Sequence, residues 1–186
     1  MYCGVIPVLY GGMITNAGSD WTVMVTRPGI SPIDNLCQTL LSHDESSSDL
    51  LDVEKEAVKK ITLAALRRSS MGIIDALRQI NRKKRKSNFF IMVDQFEELF
   101  RFINSEKSQE AKDEAINYVN LLITAISQRE LPVYIALTMR ADFIGDCSQF
   151  PELTHLINKS HYLIPQMTRD QLRLAIEGPV AVGGGS

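Results

Sequence analysis

Asp94, Glu97 and Glu98 stand directly behind the apolar run Phe89 to Val93 in the stretch FFIMVDQFEELFR. A carboxylate at the tip of a buried strand can hold a divalent cation directly or through its water shell, and an acid one turn further on can orient or deprotonate an attacking water. Asp94 is placed for the first task, Glu97 or Glu98 for the second. Arg27 follows the apolar run WTVMVT, and Arg140 follows PVYIALTM. Two cations and an acid gathered on one rim would suit a polyphosphate carrying a divalent metal. A plainer reading exists for each residue. Asp-x-x-Glu is also the spacing of a helix cap, where acids are stabilised by the macrodipole. Arg140 has Asp142 and Asp94 as potential partners, and Arg27 can serve to stabilise the turn that contains it.

Convergence of these residues depends on the elements that carry them. WTVMVT (21–26) is rich in β-branched residues and is stopped by the turn signal RPG, which predicts a strand. Ser31-Pro32 offers an N-cap followed by proline at the first helical position, so PIDNLCQTLL is expected to be helical. A polar, acidic loop, SHDESSSDLLDVE, runs into a helix on which Val58, Ile61 and Ala65 recur at helical spacing. A further helix carries Ile73, Leu77 and Ile80. Phe89 to Val93 is a fully apolar strand, and the next helix repeats Ile116, Val119, Ile123 and Ile126 as one face. Pro132 to Met139 gives a third strand and His161 to Ile164 a short fourth. Thr168-x-x-Gln171 is a capping-box pattern that opens a helix containing Leu172, Ala175 and Ile176. Apolar strands alternating with helices imply an α/β fold with a parallel sheet covered on both faces. Right-handed crossovers bring every strand's C-terminal end to one edge, where open sheets bind ligands.

Composition fits one substantial core: 186 residues, 45% of them hydrophobic. Basic and acidic residues nearly cancel, 20 against 22, so the chain as a whole carries no electrostatic footprint for nucleic acid or anionic lipid. The basic run NRKKRKSN reads as a solvated loop beside a core strand. Cys3, Cys37 and Cys147 form no C-x-x-C pair and read as buried thiols in a reducing, cytoplasmic setting. No apolar run approaches the length of a membrane span, and the N-terminal stretch lacks the basic region of a signal peptide. His43, His155 and His161 show no metal-ligand spacing, and neither G-x-S-x-G nor H-E-x-x-H occurs.

The order W-x-V…RPG, DQFEELF, LTMRADFIGDC, YLIPQMT and AIEGP resembles the novel STAND NTPase family, a branch of the signal-transduction P-loop ATPases often joined to propeller repeats in larger bacterial regulators. The likeness runs from about Cys3 to Pro179. It implies a three-layer P-loop NTPase-like core over 1–179, followed by a Gly-rich tail or linker over 180–186, with ATP and Mg²⁺ as ligands. By resemblance Asp94 is the Walker-B aspartate on magnesium, Glu97 or Glu98 the water-activating acid, and Arg140 a sensor of the terminal phosphate. Arg27 matches a family motif that implies a phosphate contact. Pro165 in LIPQM matches the proline of a G-x-P element that lines the adenine pocket of related switches, with Leu163 where that element has glycine. Many relatives with this core carry glutamate immediately after the aspartate; Gln95 stands there in this chain. The expected partners are other domains of a larger regulator and further copies of the chain, with neither nucleic acid nor membrane involved.

One family element is missing from the 186 residues: G-x-x-x-x-G-K-[ST], whose backbone N–H groups cradle phosphates. Gly11-Gly12 is not followed by Lys-Ser. The resemblance implies that the chain begins inside the helix after that loop. The strand before the loop, central in the family's sheet between the strands ending here at Met139 and Ile164, is then missing as well. Two functions follow: the nucleotide-binding core of an ATP-dependent switch, inactive in hydrolysis as given, or a non-catalytic scaffold that keeps the fold and binds no nucleotide.

Overall fold

Three parallel strands form the sheet in the order β1-β2-β3: β1 (Trp21–Thr26), β2 (Asn88–Val93) and β3 (Val133–Leu137). They belong to a computed structural model in which residues 5–12, 20–44, 51–81, 87–106 and 108–182 are described. Cys3, residues 45–50 of the acidic loop, the basic stretch 82–86 and the tail residues 183–186 lie outside the described residues. The chain divides into two compact units, Met1–His155 and Leu156–Ser186.

Register aligns Thr26 with Val93 and Val93 with Leu137, so all three strands end at one level. The central strand β2 is buried from Phe89 to Val93, as its unbroken apolar sequence requires. β3 is only half-buried, in keeping with its place at the sheet's edge among the described residues. On one face, α1 (Val5–Tyr10) contributes Leu9 to a cluster with Trp21, Phe90 and Met92. The other elements of the first unit are α2 (Pro32–Ser42), α3 (Asp52–Arg68), α4 (Gly72–Asn81), α5 (Glu98–Glu106) and α6 (Gln109–Ser127). Of these, α2 packs on β1, α6 on β3, and α2, α3 and α4 on one another. Cys37 and Cys147 are buried free thiols, and burial pushes the Cys147 thiol up to about 11.

Four local expectations need correction. Ser31 precedes α2 with Pro32 at its start, yet the serine hydroxyl makes no cap; the early Ile33 N–H reaches Glu114 Oε1 on α6 instead (3.4 Å). On α6 the inward face is Ala115, Tyr118, Val119, Leu122 and Ala125; of the expected face Val119 is buried and Ile123 half-buried, while Ile116 and Ile126 are exposed. Tyr118 and Leu122 bury more apolar surface than the isoleucines would, and the alanines beside them leave room for close packing. On α3, Ile61 is exposed and Leu66 is the buried residue, beside Gly72, where a Cβ would meet the Leu66 backbone at 2.8 Å. His161 to Ile164 forms no strand: residues 161–168 are irregular and exposed. A four-residue run becomes a strand only beside a hydrogen-bonding neighbour, and none of the described strands pairs with it.

A 3-10 segment, Ala141–Gln149, follows β3 and leads into α7 (Pro151–Ser160). In the second unit, α8 (Arg169–Val182) opens with the expected capping box: Gln171 N–H donates to Thr168 Oγ1 and Thr168 N–H to Gln171 Oε1.

Candidate functional site at the carboxyl rim of the sheet

The parallel sheet sets Arg27, Asp94 and Thr138 one residue beyond the aligned strand ends. Backbone bonds extend the ladder past the sheet: Asp94 N–H donates to Thr26 O (2.8 Å), Thr138 N–H to Val93 O (2.9 Å) and Phe96 N–H to Thr138 O (2.8 Å). The strand tip is therefore held from both sides before any side chain is counted.

Both carboxylate oxygens of Asp94 are engaged. Thr138 Oγ1 donates to Oδ1 at 2.6 Å, and Arg27 donates to Oδ2 from Nε at 3.1 Å and Nη2 at 2.7 Å. The Thr138 hydroxyl also accepts the Gln95 N–H at 3.0 Å. The Thr138 hydrogen bond, and after it the Arg27 guanidinium, holds the Asp94 carboxyl below the usual carboxylate range despite partial burial. Asp94 does not cap the helix that follows. The turn 95–97 closes instead through Glu98 N–H to Gln95 O and Leu99 N–H to Phe96 O, with Gln95 in the left-handed region at φ 55°. Gln95 is exposed.

The two glutamates separate cleanly. Glu98 Oε2 accepts the Gly29 N–H at 3.0 Å and ties the RPG turn to the start of α5. Gly29 has φ +58°, a conformation that costs glycine nothing, and a side chain there would strike Asn35 Nδ2 at 2.8 Å. Asn35 in turn donates to Pro28 O (2.9 Å) and Arg27 O (3.3 Å). Glu97 is 5% exposed, and its Oε2 is buried with no hydrogen-bond partner. Such an atom costs stability unless something satisfies it.

Arg140 lies three residues beyond Leu137, at the same end of the sheet. Its guanidinium pairs with Asp142 (Nε 3.1 Å, Nη2 2.8 Å) and rests over the Phe143 ring, on which Arg101 also sits. Asp142, and to a smaller extent the charge of Glu97, raises the Arg140 pKa. Of the two partners open to Arg140 in the sequence, it takes Asp142. Pro165 is exposed in the irregular stretch of the second unit, beside exposed Leu163 and Ile164.

Sequence reasoning missed Thr138 and Asn35. Thr138 was legible in principle, as the aliphatic hydroxyl near the end of an otherwise largely apolar run; Asn35, inside a helix, gave no signal. Among the described residues no group of three or more His, Cys, Asp and Glu side chains could hold a metal ion, so the rim is not an all-protein cage. One strand-tip carboxylate with a side chain 18% exposed does fit Mg²⁺, which keeps several waters and takes its remaining ligands from phosphates.

The family model described as Novel STAND NTPase 1 matches residues 1–186. No curated protein and no solved structure matches the chain.

Proposed function

The chain belongs to the novel STAND NTPase 1 family, and from that premise we propose that its sheet rim is the Walker-B side of a magnesium–ATP site in a signalling switch. The observation that carries this reading is the pairing of a doubly engaged strand-tip carboxylate, Asp94, with a buried, unpartnered carboxylate oxygen on Glu97 one turn on. A buried carboxylate oxygen without a protein partner costs stability, which supports a role for Glu97 beyond packing.

In this reading Asp94 holds the cation, with Thr138 fixing the carboxylate's rotation through Oδ1. When bound, magnesium would neutralise charge on the β- and γ-phosphate oxygens. Glu97 orients the attacking water and accepts its proton; its unoccupied oxygen and dry surroundings suit a base better than Glu98, whose carboxylate is committed to the Gly29 N–H. Glu98 is a positioning residue for the RPG turn. Arg140, paired with Asp142 at the rim, offers a guanidinium fork to the terminal phosphate, and Arg27 offers a second cation. Pro165 is assigned to the adenine side by resemblance alone. Nucleotide exchange would then bias the packing of neighbouring domains in a larger regulator.

Hydrolysis by these residues alone is not expected, because no G-x-x-x-x-G-K-[ST] loop occurs in the 186 residues. Calorimetric titration of ATP with Mg²⁺ into this chain, and into a longer one carrying such a loop upstream, tests the reading. Measurable affinity in the longer chain is expected. Binding by neither would favour the non-catalytic scaffold.

A further inference from the structure

We infer that Arg27 stands on Asp94 in place of the divalent cation, so that the metal enters by exchange with the guanidinium. This rests on Asp94 being the metal ligand, as proposed above.

The two partners of the Asp94 carboxylate differ in exposure and in how they are held. Thr138 Oγ1, on Oδ1, is also fixed by the Gln95 N–H, and its backbone is bonded to Val93 and Phe96. Arg27, on Oδ2, has a side chain 53% exposed. The backbone beneath it is fixed: Gly29 is tied to Glu98, and the carbonyls of Arg27 and Pro28 accept from Asn35. Exchange is thus a side-chain movement about a fixed turn.

Two N–H groups of one guanidinium converge on a single oxygen, Oδ2. A cation bound to that oxygen would sit against a like charge, so Oδ2 faces either the guanidinium or the metal. The displaced Arg27 remains at the rim, where its guanidinium can meet the phosphate oxygens that accompany the metal. In the absence of ligand the pair keeps the strand-tip carboxylate compensated. Arg27 therefore sets the threshold of cation concentration at which the site fills.

The test uses ¹⁵N-labelled chain titrated with Mn²⁺ alone, reading paramagnetic broadening of the Gln95 and Phe96 amides. Arg27→Gln is expected to reach half-broadening at about three- to tenfold lower Mn²⁺ than the unaltered chain. Arg27→Lys, which keeps the charge and loses the fork, falls between them and carries the test should Arg27→Gln fail to fold. Arg101→Gln removes the same charge from α5 without touching Asp94 and leaves the midpoint unchanged. Midpoints for both Arg27 variants no lower than that of the unaltered chain overturn the exchange, as does an equal shift in Arg101→Gln. Asp94→Asn abolishes the local broadening. If it persists there, or is absent from every protein, the assignment of Asp94 to the metal falls, and the exchange with it.

Discussion

Arg27 Nη2 lies 2.7 Å from Asp94 Oδ2, joining residues 67 apart in sequence across the tips of two adjacent parallel strands. The contact exists because β1 and β2 end in register, each followed at once by a charged residue. The same alignment brings Thr138 to the other oxygen from β3. The rim is thus a product of topology, and its chemistry can be tested residue by residue.

The two glutamates are expected to respond differently. In a longer chain competent for hydrolysis, Glu97→Gln lowers kcat by about 100-fold or more while ATP binding persists, as removal of a general base does. Glu98→Gln weakens the tether to Gly29 and acts on KM more than on kcat. Steady-state kinetics beside equilibrium ATP binding separates the two, and the reverse pattern would move the base to Glu98. Glu97→Gln is also expected to raise stability by about 1 kcal/mol in urea melts, since it lightens the cost of a buried, unpartnered carboxylate oxygen.

Stability in acid reports on Asp94. Its folded pKa is lowered, chiefly by the Thr138 hydrogen bond and then by Arg27, so the group stabilises the fold fully above its unfolded value. That contribution fades as pH falls through the lower, folded value. The gap in stability between the unaltered chain and Asp94→Asn should therefore be widest near neutrality and narrow from about pH 5 downward. Urea melts across that range check it, and a gap that does not vary with pH would show that neither contact favours the ionised form.

Much of this was legible in the sequence, for physical reasons that differ by residue. β2 and its acidic terminus could be read because an unbroken apolar run has few alternatives to a buried strand, and Ile73, Leu77 and Ile80 of α4 are all buried as their spacing requires. The rotation of α6 was only partly legible: Val119 is buried as expected, but the buried face also takes Ala115, Tyr118, Leu122 and Ala125 and leaves Ile116 and Ile126 outside, a choice that apolar periodicity alone does not make. The strand expected at His161 to Ile164 failed because pairing is a property of neighbours and not of the run itself. Arg140 illustrates a third limit: spacing brought it to the rim, but the choice between Asp94 and Asp142 depended on a local turn that only the folded chain displays.

Gln95 tests the turn that aims Glu97. A left-handed φ of 55° is costly for a side chain branched at Cβ. Gln95→Ile is expected to destabilise by about 1–2 kcal/mol, while Gln95→Gly is neutral or slightly stabilising. Denaturant melts check the order. An isoleucine as stable as the glycine would mean that the turn opens at no cost and does not fix Glu97 in place.

The account stands most directly on the magnesium dependence of ATP binding in a chain that carries the phosphate-binding loop. With Asp94 present, affinity measured calorimetrically should rise on adding Mg²⁺, and Asp94→Ala should remove that rise while leaving the metal-free affinity nearly unchanged. Equal enhancement by Mg²⁺ in both proteins would contradict the assignment of the strand-tip carboxylate to the metal.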